Sequence, residues 1–299
     1  MPELPEVLTY LETLEPRIVG RTLEKIRLRS PSLLRTYDPP LSALEGRLVL
    51  GLDRIGKRIV WKLEDAFFAV FHLMITGRFR WKSAGATVPR KVGLAAFDFD
   101  SGTLLLTEAG TRKQASLHVV RGDESLDAFR RGGIDPRTAT LDTFRDALLR
   151  ENRTLKRALT DPRILDGIGN AHSDEILHRA RLSPTRRARQ LDAEELERLY
   201  RATREELEEW IDRRRREADG QVPERVRSDH PEMAVHGRYG QPCPRCGSPV
   251  QRIRYAANET NYCATCQTGG RLLADRALSR LLGEDWPRSI EELEELKGR

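Results

Sequence analysis

The only four cysteines of this 299-residue chain stand at positions 243, 246, 263 and 266. They form two Cys-x2-Cys pairs, Cys243-Pro-Arg-Cys246 and Cys263-Ala-Thr-Cys266, with sixteen residues between them. Each pair is a knuckle that aims two thiolates at one point, and two knuckles complete a tetrahedral site with no open position. That pattern predicts one structural zinc ion on Cys243, Cys246, Cys263 and Cys266. Two disulfides or two redox motifs are the competing readings; matched pairs around a hairpin-like stretch, SPVQRIRYAANETNYC, favour the metal. A module this small has almost no core of its own, so metal binding supplies its folding energy. Its hairpin presents Arg252, Arg254 and Tyr255, residue types suited to a nucleic-acid backbone.

Charge points the same way. Fifty-two basic residues against 46 acidic ones leave a net charge of +6 and a pI near 9.3. A basic surplus fits a polyanionic partner, whose phosphates release counterions on binding. Taken alone, the surplus is equally well a solvated surface. With 38% hydrophobic and 33% charged residues, the chain reads as globular rather than disordered. No apolar run approaches the roughly 18 residues of a membrane span, so no membrane partner is expected. Glu3 and Glu6 stand where a secretory signal would carry its basic and apolar regions. The expectation is a cytoplasmic, nucleoid-associated protein.

The length favours two or three domains. Residues 4–19 predict a helix, with Pro5 in its first turn, Val7, Leu8, Leu11 and Leu14 at helical spacing, and Gly20 as its stop. From 21 to 120 the texture changes to short alternating or apolar runs: TLEKIRLRS, RLVLGLDRI, RIVWKLE, FAVFHLMI, AAFDFD, TLLLTE and SLHVV. These predict an antiparallel sandwich or barrel of about seven or eight strands. RRGGIDPRTAT at 130–140 reads as a linker, and helical spacing dominates from there to Gly220. Residues 221–233 are polar and proline-punctuated, a loop. In the tail, Leu272, Leu273, Leu278, Leu281 and Leu282 form an amphipathic stripe, most simply docking onto the protein itself.

Mid-chain, Gly167-Ile168-Gly169-Asn170 precedes a helix expected to be capped near Ser173, with Asp174 and Glu175 in its first turn. Glycines let a backbone approach a partner, and helix-start amides bind phosphate oxygens. Glycine also merely closes many helix–helix turns.

PELPEV at the N-terminus, GIGN between two helices and a four-cysteine ribbon ending CATCQ occur in this order along the chain. Together they make the chain resemble the formamidopyrimidine-DNA glycosylase / endonuclease VIII family of base-excision repair enzymes, over roughly residues 1–270. The resemblance implies an α+β multidomain fold: an N-terminal β-sandwich with a leading helix, a helix–two-turn–helix domain and a C-terminal zinc ribbon, with damaged DNA held between the two halves. The corresponding boundaries are 1–135 for the catalytic sandwich, 136–235 for the helical DNA-binding domain, 236–270 for the ribbon and 271–299 for a helical tail. A monomer is expected.

It further implies chemistry at the chain start. With Met1 removed, Pro2 carries a free secondary amine. An α-amine, with an ordinary pKa near 8, keeps a usable neutral fraction at physiological pH. It would attack the anomeric carbon of a damaged nucleotide, with Glu3 as general acid/base and Glu6 in support. Lys57 in DRIGKRIVW matches the family's lysine, for phosphate contact and acid assistance. Gly169 and Asn170 match its phosphate clamp. The expected activity is DNA N-glycosylase with AP lyase on oxidised bases, cleaving the strand by β-elimination with or without the second, δ-elimination. The alternative is a non-catalytic binder of damaged or single-stranded DNA with the same fold.

The chain departs from the family pattern in three places. Where the family's HLGMSG segment has methionine, His72-Leu73-Met74-Ile75-Thr76-Gly77 has Ile75. Where DPRRFG supplies an arginine and a phenylalanine, Ala109-Gly110-Thr111-Arg112-Lys113-Gln114 has no aromatic. Base flipping leaves a hole to be filled, and Ile75, Arg112 and Lys113 are the candidate fillers. Five residues before Cys263 the family has arginine, and this chain has Asn258. An amide cannot replace a bidentate guanidinium on phosphate, so Arg252 and Arg254 become the candidate substitutes.

Overall fold

The computed structural model describes residues 1–224, 230–255, 258–274, 283 and 287–297. The chain divides into two compact units, Met1–Arg131 with Glu209–Ser228, and Gly132–Glu208 with Asp229–Arg299.

In the first unit, helix α1 (Leu4–Ile18) begins at Glu3 and ends before Gly20, whose φ of +76° only glycine adopts freely. It buries Val7, Tyr10, Leu14 and Ile18, spaced three and four residues apart; Leu8 and Leu11 are only half-buried. Tyr10 thus takes a place in the stripe expected of the leucines. Nine strands follow among the described residues: β1 (Thr22–Leu23), β2 (Lys25–Leu28), β3 (Arg47–Ile55), β4 (Arg58–Leu63), β5 (Phe67–His72), β6 (Gly77–Lys82), β7 (Gly93–Phe99), β8 (Gly102–Glu108) and β9 (Ser116–Arg121). They form two antiparallel sheets, ordered β1-β3-β4-β5-β9 and β2-β7-β8-β6.

The sequence reading missed β6. Its GRFRWK alternates basic and aromatic residues, with Phe79 buried and Arg78 and Arg80 half-buried, and β6 is an edge of its sheet. The core centres on Trp61, whose ring lies 4.7 Å from Phe71 and 5.2 Å from Phe97. The Phe97 pair is edge-to-face, at 72° between planes, and such packing adds to simple area burial. Helix α2 (Asp123–Asp127) closes this stretch.

The second unit holds α3 (Leu141–Leu149), α4 (Leu155–Thr160), α5 (Asn170–Arg179) and the start of α6 (Ala193–Ala218). Thr140 caps α3 by accepting the Thr143 N–H at 3.2 Å. The 130–140 stretch is not a loose linker. Ile134 N–H donates to Ile164 O and Ile134 O accepts from Asp166 N–H. A Cβ on Gly133 would sit 2.5 Å from the Pro162 carbonyl, so glycine is needed there.

The ribbon hairpin pairs β10 (Gln251–Tyr255) with β11 (Asn258–Tyr262), followed by α7 (Ala264–Thr268). Leu272 and Leu273 pack on Ile253, Tyr262 and Ala264, together with Ile290 and Leu293 of α8 (Ile290–Lys297). The tail therefore does dock on its own ribbon at these positions; Leu278, Leu281, Leu282 and Trp286 lie outside the described residues. Among the described residues no helix is long and apolar enough to cross a membrane.

Candidate functional site

Pro2 and Glu3 are buried at the start of α1. The Glu3 N–H donates to Glu6 Oε2 at 2.8 Å, which fixes the chain entry and gives the helix start its negative charge. The terminal amine belongs to Met1 and stands one residue ahead of the Pro2 nitrogen. Burial holds this amine below its ordinary pKa; Arg78 and Lys57 lower it further, while Glu3 and Glu6 oppose them. Lys57 occupies a two-residue turn, Gly56-Lys57, joining β3 to β4, with Ile55 paired to Arg58 and Gly56 at φ +62°. A loop that tight aims its lysine without a long flexible lead. Two carboxylates and two cations thus converge electrostatically on the chain start.

The neighbouring turn carries Ile75, 57% exposed and one of few large apolar side chains so placed. Gly77 N–H closes the turn on Leu73 O, and a Cβ on Gly77 would collide with that oxygen at 2.2 Å. Arg78 donates to Ile75 O at 3.1 Å and Gly77 O at 2.6 Å. In the 109–115 loop Arg112 is exposed, whereas the Lys113 ammonium turns back onto the Glu108 carbonyl. Buried Glu108 accepts the N–H groups of Gln114 (2.9 Å) and Ala115 (3.1 Å). Gly110 N–H reaches Thr76 Oγ1 at 3.2 Å, tying this loop to the Ile75 turn.

In the second unit, Gly169 is the residue before α5, and Gly167 adopts φ +87°. The helix starts at Asn170, not near Ser173: the Ser173 hydroxyl donates back to Gly169 O at 2.6 Å instead of capping. Asn170 Nδ2 donates to Glu259 O on β11 at 2.8 Å. Asp174 is fully buried and takes Lys156 Nζ (2.5 Å), His236 Nδ1 (2.8 Å) and Asn261 N–H (3.1 Å). Glu175 accepts three consecutive N–H groups, from Ala234 to His236, at 2.6–2.9 Å. The two carboxylates expected to serve the helix start are anchors for the segment leading into the ribbon.

Within the ribbon the four Sγ atoms lie within 4.8 Å of one another, with Cys243–Cys266 at 4.0 Å and Cys246–Cys263 at 3.4 Å. Zn–S bonds of about 2.3 Å place tetrahedral sulfurs about 3.8 Å apart, so the four cysteines fit one zinc ion. His178 Nε2 approaches Cys243 Sγ at 3.3 Å, an outer contact that orients a ligand sulfur.

Three family models match this chain in succession. They are the formamidopyrimidine-DNA glycosylase N-terminal domain at residues 1–116, its H2TH domain at 133–219, and the zinc finger found in FPG and IleRS at 240–269. A formamidopyrimidine-DNA glycosylase of Thermus thermophilus is 38% identical over 284 residues, covering 90% of this chain and all of the relative. The chain belongs to the formamidopyrimidine-DNA glycosylase family. The enzyme of Heliobacterium modesticaldum is 36% identical, covering 89% of this chain and all of its own. Among solved structures, Lactococcus lactis Fpg in complex with abasic-site DNA superposes with a TM-score of 0.77 at 27% identity, covering 89% of this chain and 99% of that one. A Lactococcus lactis variant bound to Fapy-dG-containing DNA gives 0.77 at 28% identity, covering 89% and 100%. The α+β fold and the zinc-binding ribbon expected from the sequence are those of the family.

Asn258 is the first residue of β11, opposite Tyr255, and its side chain lies outside the described residues. The candidate substitutes Arg252 and Arg254 both lean on Glu259, at 3.3 and 3.5 Å, and Arg252 also lies 4.0 Å over the Tyr239 ring. Sequence reasoning missed Lys156, Glu108 and Glu259 altogether, and it missed the anchoring roles of Asp174 and Glu175. Only the even spacing of charges in helical or strand-end segments could have signalled them, and solvated faces share that signal.

Proposed function

We propose that this chain is a bifunctional DNA glycosylase/AP lyase of base-excision repair, acting as a monomer on oxidised bases in nucleoid DNA. The observation that carries this reading is the chain start: Pro2 and Glu3 buried at the head of α1, with the Glu3 N–H held on Glu6 Oε2 at 2.8 Å, in a member of a glycosylase family. After removal of Met1, the Pro2 nitrogen lone pair attacks C1′. The glycosidic bond breaks toward the base, which leaves with the electron pair and takes a proton. Glu3 protonates O4′ as the ring opens, leaving a C1′=N⁺ iminium. Loss of a C2′ proton then expels the 3′-phosphate, and the same electron sink serves the 5′ side. Lys57 assists at phosphate, and Gly169 and Asn170 hold the strand beside the lesion. Ile75 and Arg112, exposed on tied loops, are the fillers of the vacated stack.

Borohydride added during reaction on an abasic-site or oxidised-base duplex should trap a covalent adduct at Pro2. Trapping by Pro2→Gly at the parental rate would assign the reaction to another nucleophile. A second reading, a DNA binder without chemistry, is favoured by the 109–114 loop without an aromatic and by Asn258 in place of the family arginine. Such a binder yields no strand break with either the parent or Glu3→Gln, and both bind the lesion equally.

A further inference from the structure

Both oxygens of Glu6 are committed. Oε2 accepts the Glu3 N–H at 2.8 Å, and Oε1 accepts Arg214 Nε at 3.0 Å. The side chains of this pair are 4% and 8% exposed, although 208 residues separate them along the chain. Arg214 belongs to the last turns of α6, which join the first unit from Glu209 onward. Its guanidinium also holds Glu217 at 2.8 Å and lies 5.2 Å from the Trp210 ring. A buried ion pair that loses one partner leaves an uncompensated charge, a worse state than the intact pair. The contacts thus run without a break from Trp210 through Arg214 and Glu6 to the Glu3 backbone, next to the Pro2 nitrogen.

We infer that Arg214 is a positioning residue for the N-terminal amine: by clamping and neutralising Glu6 it fixes the Glu3 backbone and keeps the amine in its neutral, nucleophilic form. The inference rests on the amine reading above. The groups facing the chain-start amine, that of Met1 one residue ahead of the Pro2 nitrogen, are Glu3 at the cap of α1, Glu6 in its first turn, Arg78 from β6 and Lys57 from the β3–β4 turn. Behind Glu6 stand Arg214, Glu217 and Glu224, and Glu224 is itself paired with Lys82 at 2.6 Å. Glu6 raises the proton affinity of the Met1 amine at the chain start, and a guanidinium bonded to that carboxylate offsets the effect. A cavity of about 210 Å³ lined by Glu6 and Arg214 adjoins the pair, and removing the guanidinium removes the offset.

The test is single-turnover borohydride trapping by the zinc-loaded full chain on an abasic-site duplex, followed from pH 5.5 to 9. Arg214→Met should trap roughly tenfold more slowly at pH 7, with its pH midpoint raised by about one unit. Glu6→Gln/Arg214→Met, which has no bare charge, should return the midpoint to the parental value. Affinity for a duplex carrying a non-reactive abasic analogue should change less than about twofold, which separates positioning from binding. Arg214→Lys keeps the charge but loses the fixed fork, so it should keep the midpoint and lower the plateau; it decides between the outcomes if Arg214→Met does not fold. An Arg214→Met profile that superimposes on the parent, or an Arg214→Lys plateau equal to it, overturns the inference alone. Absence of trapping by the parent overturns the amine reading and this inference together.

Discussion

At the scale of single residues, backbone strain and protonation make separate demands around the Ile75 turn. Met74 sits at φ +53°, in the left-handed region where an L side chain costs about 1–2 kcal/mol. Gly77 closes the same turn, so the chain cannot relax by shifting its register. Met74→Gly should therefore be more stable than Met74→Ala by about 1 kcal/mol in urea unfolding; equal midpoints would show no strain. Just before the turn, His72 Nδ1 accepts the Met74 N–H at 3.1 Å, which requires a neutral acceptor nitrogen. Burial first, then Arg58, Lys57 and His118, push its pKa down to about 4. The folded state therefore binds fewer protons than the unfolded chain between about pH 6.5 and pH 4. The stability this neutral ring contributes is complete above pH 6.5 and declines as pH falls through that window, by on the order of 3 kcal/mol. Unfolding at pH 7 and pH 4.5 should show a smaller acid loss for His72→Gln than for the parent. An identical loss would mean that His72 protonates freely in the folded protein.

At the scale of elements, the contiguous signals were legible and the long-range ones were not. The cysteine knuckles, the α1 start and the Gly56-Lys57 turn each lie within a few residues, and each stands where its pattern implies. Arg214, one of four consecutive arginines in α6, reads in sequence as part of a solvated face; its partner is Glu6, at the other end of the unit. Asp174 and Glu175 read as helix-start acids because nothing local reveals that residues 234–236 return to them. The ribbon hairpin gives the element-scale prediction. Glu259 holds Arg252 and Arg254, so replacing it by Gln should free cations for phosphate. Glu259→Gln should bind undamaged duplex more tightly, and its plot of log affinity against log salt should steepen by about 1–2. An unchanged slope would show that neither arginine reaches the backbone.

At the scale of the whole molecule, the distribution of tryptophans separates what zinc supports from what it does not. Trp61, Trp81 and Trp210 belong to the first unit by sequence, and Trp286 alone to the second. Trp61 sits in the aromatic core of the sandwich, 4.7 Å from Phe71, with no cysteine in its unit. All four cysteines, and the His178, Asp174 and Glu175 contacts that seat the ribbon, belong to the second unit. A ribbon whose own core is a handful of side chains depends on metal for its fold. Chelation should therefore remove DNA binding and borohydride trapping together, while the main tryptophan-fluorescence melting transition stays within about 2 °C of the zinc-loaded value. Restoring zinc should restore both activities. Loss of the tryptophan transition on chelation would mean that the sandwich depends on the ribbon for its own stability. Trapping that survives chelation would mean that the ribbon is not needed to hold the strand at the amine.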